Sequence, residues 1–447
     1  MGSLIFILEA CLHIYISVIL LSNKDKQTKF LWMFAGFAFL HPFLSIKIVP
    51  NNSFFYCFLV VFDAWRKKSL KQIWKSYPLK VVTFCIFLFH LIHPLFYSWQ
   101  GFGQSLYAEF QEFLRTYAII FAGFALCPED WNWGKAVHVL ERIAVVLILI
   151  AFSIQVLHDN YISASFVEGD LMFGFDPDAE RTFRNTGTHF SPNIFGILNV
   201  VLFLLINHFE KRSLVKRILL PLLFMVIIFT ATRAPFVILI ISLAVYYALY
   251  SKTKMMKILL YGIPIFFIVM NNLPETSMIG KAVNSVIDVF LTGGQNTSGS
   301  SVELRESQWE VAVAIGSTAP LFGHGVGFTD NLIAENGVIN MAYRGGLFGA
   351  EGYQFFLAID YGLIYSLMSV FFFLSMLFFF IKGYFVQNRS EYAVLGFVLT
   401  VFELFFLFSS RPQGSWQVTM LFAGLFMKLL CDARHNANNN EIFIQVE

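Results

Sequence analysis

Near the middle of the chain, Arg181-Thr182-Phe183-Arg184-Asn185-Thr186-Gly187-Thr188-His189-Phe190-Ser191-Pro192-Asn193 gathers the groups that bind anions: two guanidiniums, several hydroxyls, and a Ser-Pro pair opening a long apolar run. Ser191 can cap the first free amides of that run. Pro192 suits the first helical position, where its missing N–H would have been unpaired anyway. A helix starting there points its positive end out of the apolar layer, beside the arginines. A plainer reading has the arginines meeting only lipid headgroups. Against it, Asp159, Glu168, Asp170, Asp176, Asp178 and Glu180 make the preceding stretch acidic, so a general attraction to anionic lipid explains them poorly.

A second arginine of this kind lies in Phe229-Thr230-Ala231-Thr232-Arg233-Ala234-Pro235. A helix over 218–250 would run about 50 Å, far longer than a hydrocarbon core of about 30 Å, so the chain must turn back at Pro235. The first arm is short, which puts Arg233 in a recess below the outer surface. There it opens a helix with Thr232 as cap and Pro235 in the first turn. The neutral alternative is an Arg233 that snorkels to headgroups. Glu351 stands at the mouth of a further apolar run, with Asp360 about two and a half turns on. A carboxylate there can serve as a base, or it can simply complement the helix dipole.

The elements that must hold these residues are helices in a membrane. The 447 residues are 57% hydrophobic and 13% charged, against about 25% charged in soluble domains, and the mean hydropathy is +0.66. The chain is therefore expected to be an all-α polytopic membrane protein with about 12–13 transmembrane helices. Spans are placed near 3–21, 30–47, 53–65, 79–99, 106–126, 138–157, 191–209, 218–232, 235–250, 257–272, 352–381, 393–410 and 415–430, with the first retained, not cleaved. When these alternate, the basic loops around Lys24, Arg66, Arg212, Lys252 and Lys382 fall on one side, which is the cytoplasm. On the other side stand Arg181, Arg184, Arg233, Lys281, Arg305, Arg344 and Arg411.

The layout is then 1–157, N-terminal spans; 158–272, spans bearing the arginine motifs; 273–350, one large exported loop; 351–431, C-terminal spans; and 432–447, a polar cytoplasmic tail. Residues 64–80 alternate Trp and Lys like an amphipathic helix at the cytoplasmic interface. Glu109, Glu112 and Arg115 share helical spacing inside a span, where Glu112 and Arg115 can pair at i, i+3, either fixing the packing or lining a site. A net charge of +2 implies no nucleic-acid partner. The five cysteines lie in or beside apolar runs, so no disulfide framework is expected, and neither a metal site nor a cofactor is indicated.

In the exported loop, Val302 to Ile315 has helical periodicity and carries Arg305 and Trp309. It is followed by Pro320-Leu321-Phe322-Gly323-His324-Gly325-Val326-Gly327. Glycines at that density let backbone approach a ligand or another helix, without the following Lys that a nucleotide loop would need.

Three pieces in this order resemble the O-antigen ligase and O-antigen polymerase family of integral membrane glycosyltransferases. They are Arg184-x-x-Gly187-x-x-x-x-Pro192-Asn193, Thr230-x-Thr232-Arg233-Ala234, and Arg305-x-x-x-Trp309 with Pro320-Leu321-Phe322-Gly323-x-Gly325. The resemblance implies a GT-C-type fold and metal-independent transfer of a saccharide from an undecaprenyl pyrophosphate carrier to a hydroxyl, at the periplasmic face of a bacterial inner membrane. Arg184 and Arg233 would then bind the diphosphate, and Glu351, from its own place at the mouth of its apolar run, is read as the base. Arg181, Arg305, Thr188, His189, Asn193 and His324 would contact substrate. Expected partners are the carrier-linked oligosaccharide, membrane lipid, a chain-length regulator and a flippase.

Two departures bear on the branch. Glu351-Gly352 stands where family ligases carry His-Asn, and Thr232-Arg233-Ala234 replaces Ser-Arg-Gly. Both tilt the expectation toward a polymerase lengthening carrier-linked repeats, with His189 and His324 as substitute bases. The alternatives are a ligase acting on lipid A-core or protein, and a lipid-linked oligosaccharide flippase, although no internal repeat of the kind transporters use is visible.

Overall fold

A computed structural model of the chain describes residues 2–39, 52–97, 100–157, 187–188, 192–230, 232–257, 260, 302–332, 352–387, 390–407 and 415–444. These residues are mainly helical, with no strand among them, and the chain is an all-α polytopic membrane protein. In chain order the helices are α1 (Gly2–Leu21), α2 (Lys26–Phe39), α3 (Asn52–Arg66), α4 (Leu70–Ser76), α5 (Lys80–Ile92), α6 (Phe102–Thr116), α7 (Ala118–Ala125), α8 (Trp133–Leu157), α9 (Pro192–Phe209), α10 (Ser213–Phe229), α11 (Arg233–Tyr250) and α12 (Lys252–Lys257). The C-terminal part adds α13 (Val302–Gly316), α14 (Tyr353–Phe356), a π-turn at Leu357–Tyr361, α15 (Gly362–Val386), α16 (Glu391–Leu407) and α17 (Ser415–Ile444).

Helices occupy the described parts of the expected spans; 40–47, 98–99, 191, 231, 408–410 and, apart from 257 and 260, the span expected at 257–272 lie outside the described residues. Four stretches, Trp133–Val156, Pro192–Phe209, Tyr353–Val386 and Trp416–Arg434, are each long and apolar enough to cross a membrane, and Leu70–Ser76 with Lys80–Leu95 makes a fifth if counted as one span bent by 115°. Two expectations need correction. Residues 64–80 are not one interface helix: α3 ends at Arg66, Lys68 takes a left-handed φ of 56°, and α4 starts at Leu70. Residues 106–126 are not one straight span either, because the helix breaks at Tyr117 between α6 and α7.

The core forms where α7, every residue of which is buried, meets α17. A β-carbon on Gly123 would strike the carbonyl of Leu421, and one on Gly424 the carbonyl of Ile120. Two glycines facing each other's backbone are what lets helices pack closely in lipid, where there is no hydrophobic gain in bringing them together. Trp416 Nε1 donates to the Thr116 carbonyl at 2.6 Å, which satisfies a group freed by the break between α6 and α7.

Ion pairs tie the basic ends of the helices into one layer. Lys29, only 2% exposed, reaches Asp63 at 2.5 Å, and Asp63 also takes Arg66 at 2.6 Å. Arg212 bridges Glu141 and Glu210, while His208 Nε2 meets Glu391 at 3.0 Å. These residues come from the helix ends that the distribution of Lys and Arg assigns to the cytoplasm. The opposite ends carry segment 302–332.

Candidate functional site

At the face opposite the layer of ion pairs, two helix starts meet. α9 begins at Pro192 and α11 at Arg233. One turn into α9, Gly196 lies so close to Pro235, in the first turn of α11, that an added β-carbon would come within 2.5 Å of its ring. Thr230 Oγ1 is 3.4 Å from the same position. Any larger residue at 196 would therefore force the two starts apart.

Ahead of α9, Gly187 sits over the Phe195 ring with φ of 53°, and Thr188 Oγ1 donates to the Ala38 carbonyl at 2.7 Å. The chain leading into α9 is thus pinned to the C-terminal end of α2. Asn193 is half-buried in the first turn of α9. Arg181, Arg184, His189 and Glu351 lie outside the described residues. So do the side chains of Arg233, at the first position of α11, and of Arg305 in the first turn of α13.

Thr232 precedes α11 with extended backbone, as a cap residue should, but its hydroxyl does not cap. Thr230 Oγ1 donates to Ile227 O at 2.6 Å, so the 2.9 Å contact between the two hydroxyls must use the proton of Thr232. Both threonines are buried. The expected cap is corrected on this point: the hydroxyl closes the end of α10, and the first amides of α11 have no side-chain cap.

The glycine motif at 320–327 folds onto the π-turn of the C-terminal span. Gly323 N donates to Ala319 O, His324 N to Ile359 O and Gly325 N to Asp360 O, each at 2.8 Å. Gly323 and Gly325 have φ of 70° and 102°, and β-carbons there would hit the backbone at Asp360 and the ring of Tyr97. Only glycine combines that backbone with that proximity. The carboxylate of Asp360, 4% exposed, accepts from Gly327 N at 3.2 Å, from Thr329 N at 2.9 Å and from the Thr329 hydroxyl. A π-turn in a span leaves backbone groups to be satisfied elsewhere, and here the loop amides satisfy them.

His324 is held within this loop. Thr318 Oγ1 gives its proton to Ile315 O at 2.6 Å, so His324 Nε2 is the donor in its 2.8 Å contact with Thr318. Its ring stacks on Phe328 at 4.4 Å. Only Nδ1 is then left for a ligand. On α13, Trp309 packs on Phe355 with centroids 5.9 Å apart, and Gly316 lies against the Ala358 carbonyl. The helix bearing Arg305 is thereby fixed to the π-turn.

A second anchor of the loop is a network that residue spacing alone did not assign. Glu109 of α6, fully buried, receives His90 Nδ1 on Oε2 and His93 Nδ1 on Oε1, both at 2.5 Å, and the Tyr97 hydroxyl at 2.6 Å. His93 Nε2 donates to the Phe322 carbonyl at 2.5 Å, and Tyr97 accepts from Val326 N at 3.3 Å. The glycine loop is therefore clamped between two buried carboxylates, Asp360 directly and Glu109 through His93 and Tyr97. Both imidazole Nδ1 atoms are spent on the carboxylate, so this is a proton-sharing network; no group of three metal-ligating side chains occurs among the described residues. The i, i+3 pair of Glu112 and Arg115 forms as expected, with Thr116 Oγ1 on Glu112 at 3.1 Å.

Residues 218–364 match the family model described as O-antigen ligase, from within α10 through α13 and the π-turn to the start of α15. No curated protein matches the chain.

Proposed function

We propose that this membrane protein, whose residues 218–364 match the O-antigen ligase family model, is a polysaccharide polymerase. It moves a saccharide from undecaprenyl pyrophosphate to a carrier-linked repeat unit at the periplasmic face of a bacterial inner membrane. The observation that supports this most is the contact of Gly196 with Pro235. It sets the helix start that follows Arg184 against the one that opens with Arg233, so both guanidiniums can converge on one diphosphate.

The acceptor hydroxyl oxygen bonds to the anomeric carbon as the bond from that carbon to the phosphate oxygen breaks. The electron pair leaves with the diphosphate, and Glu351 takes the hydroxyl proton. Charge grows on the leaving group, and planar guanidinium forks in a recess of low dielectric stabilise it better than an ammonium would. Arg305 and His324, carried by α13 and the clamped loop, face the same compartment and position the saccharide, with Arg181, Thr188, His189 and Asn193 beside the donor. A flippase and a chain-length regulator are the partners such an enzyme would need.

Supplying purified protein with carrier-linked repeats alone tests this reading. A polymerase lengthens them. Product that appears only after a lipid A-core or protein acceptor is added would instead make the chain a ligase, the reading that the family's description favours.

A further inference from the structure

A polar stripe runs along α6. Gln104, Ala108, Gln111 and Arg115 follow one another at spacings of four, three and four residues, which places them on one line of the helix surface. Gln104 is exposed, and the other three are half-buried. The neighbouring face holds Gly103, Tyr107 and Phe110, all exposed and without charge, as residues against lipid are. Arg115 stands about 20 Å along the helix from its start, well into an apolar layer of about 30 Å. A guanidinium in that layer faces the bundle interior or a water-filled recess, because lipid tails offer it no acceptor.

The guanidinium is open on its stripe. Nη2 donates to Glu112, which also accepts from the Thr116 hydroxyl at 3.1 Å. Among the described residues Nε and Nη1 have no acceptor; Nε is closed off, and Nη1 is the nitrogen left open. Accordingly 22% of the Arg115 side chain is accessible, against 8% of Glu112. Tyr353 and Tyr361, 4% and 3% exposed, lie within electrostatic reach of it. Tyr353 opens α14, two residues after Glu351. The Trp416 indole, in the first turn of α17, bonds the carbonyl of Thr116 beside Arg115. Three helix ends thus meet around Arg115: the end of α6, the start of α14 and the start of α17. Helix ends sunk into a bundle are tolerated where their backbone is buried in protein or lines a water-filled cavity.

We propose that Arg115 is a saccharide-binding residue at the deep end of a polar crevice along α6, where Nη1 donates to an oxygen of the sugar being transferred. The ligand must accept hydrogen bonds, because a guanidinium only donates. It is a sugar oxygen and not the diphosphate, because Glu112 offsets the charge of Arg115 and repels a phosphate. Arg184 and Arg233 keep the leaving group, and Arg115 holds the sugar it leaves. That the ligand is a saccharide rests on the glycan-transfer reading; the crevice itself does not.

The test uses the full-length protein in nanodiscs, carrying Gln111→Cys, one turn from Arg115, or Phe110→Cys on the lipid face, and a negatively charged thiosulfonate. Modification is read by mass at the introduced cysteine. Gln111→Cys should react about tenfold faster or more, since a thiolate forms and the reagent enters only where there is water. Saturating carrier-linked repeats should slow that reaction about tenfold, and the carrier diphosphate without sugar should not. Adding Arg115→Lys, whose single nitrogen stays with Glu112, should raise the repeat concentration needed for protection about tenfold, the loss of one hydrogen bond from a charged donor, with the melting temperature unchanged. Protection is read without turnover, so a failure to make polymer, which sinks the polymerase reading, leaves this result standing. Equal reaction at positions 110 and 111 overturns the proposal. So does equal protection by the sugarless carrier diphosphate, or protection indifferent to Arg115→Lys.

Discussion

Among single residues, the sequence revealed charge but not its partners. Glu112 and Arg115 share one helix, and their spacing alone announces the pair. The bond from His93 to Phe322 joins positions 229 residues apart, which no local pattern encodes, although two histidines at i, i+3 beside an intramembrane Glu109 were a visible hint. Because Glu109 holds two imidazoles and a phenol, Glu109→Ala should destabilise the protein by about 3–5 kcal/mol, the usual loss on breaking a buried charged network, read as a fall in melting temperature in detergent. Asp63→Ala should act similarly by stranding Lys29. At the cytoplasmic surface, the hydrogen bond from Arg212 holds Glu210 down from 4.5 to about 2. A depressed carboxylate stabilises the fold fully above its unfolded value, so this contribution should be complete above about pH 4.5 and fade as the pH falls toward about 2. Arg212→Ala should flatten that part of a stability curve against pH.

At the scale of helices, hydropathy placed the apolar runs and proline placed the break between α10 and α11. What it missed were the breaks without proline: at Tyr117, where Trp416 supplies a bond from across the bundle, and at the π-turn, where loop amides do. Those partners are far apart in sequence. The contact of Gly196 with Pro235 was likewise hidden, since a glycine inside an apolar run signals close approach without saying to what. Gly196→Leu should separate the two helix starts and cost about 1–3 kcal/mol of stability from overpacking. It should depress polymer formation far more than that stability loss explains, measured as product length in the repeat-only assay. Asp360→Ala should leave the amides of Gly327 and Thr329 unsatisfied, for about 1–3 kcal/mol. The exported loop should then be cleaved faster by protease added from outside.

For the whole molecule, the distribution of lysine and arginine defines two faces, and the structure supports each with contacts of its own. Lys29, Asp63, Glu141, Arg212, His208 and Glu391 pair on one; Thr188, Phe322 and Val326 are tied down on the other. A cysteine placed at Thr318 should react with an impermeant maleimide from outside intact cells, and one placed at Lys254 only after lysis. The opposite pattern would invert the topology. Diphosphate recognition by two arginines at adjoining outward helix starts is most directly tested by a double-mutant cycle on repeat-only polymer synthesis, using Arg184→Lys, Arg233→Lys and the pair. Each single change should lower the rate by about 10²-fold, as for one lost preorganised donor, with folding intact. The double variant should lose much less than the product of the two, because both side chains act on one leaving group. Near-normal polymer from both single variants, or losses that multiply independently, would contradict the account.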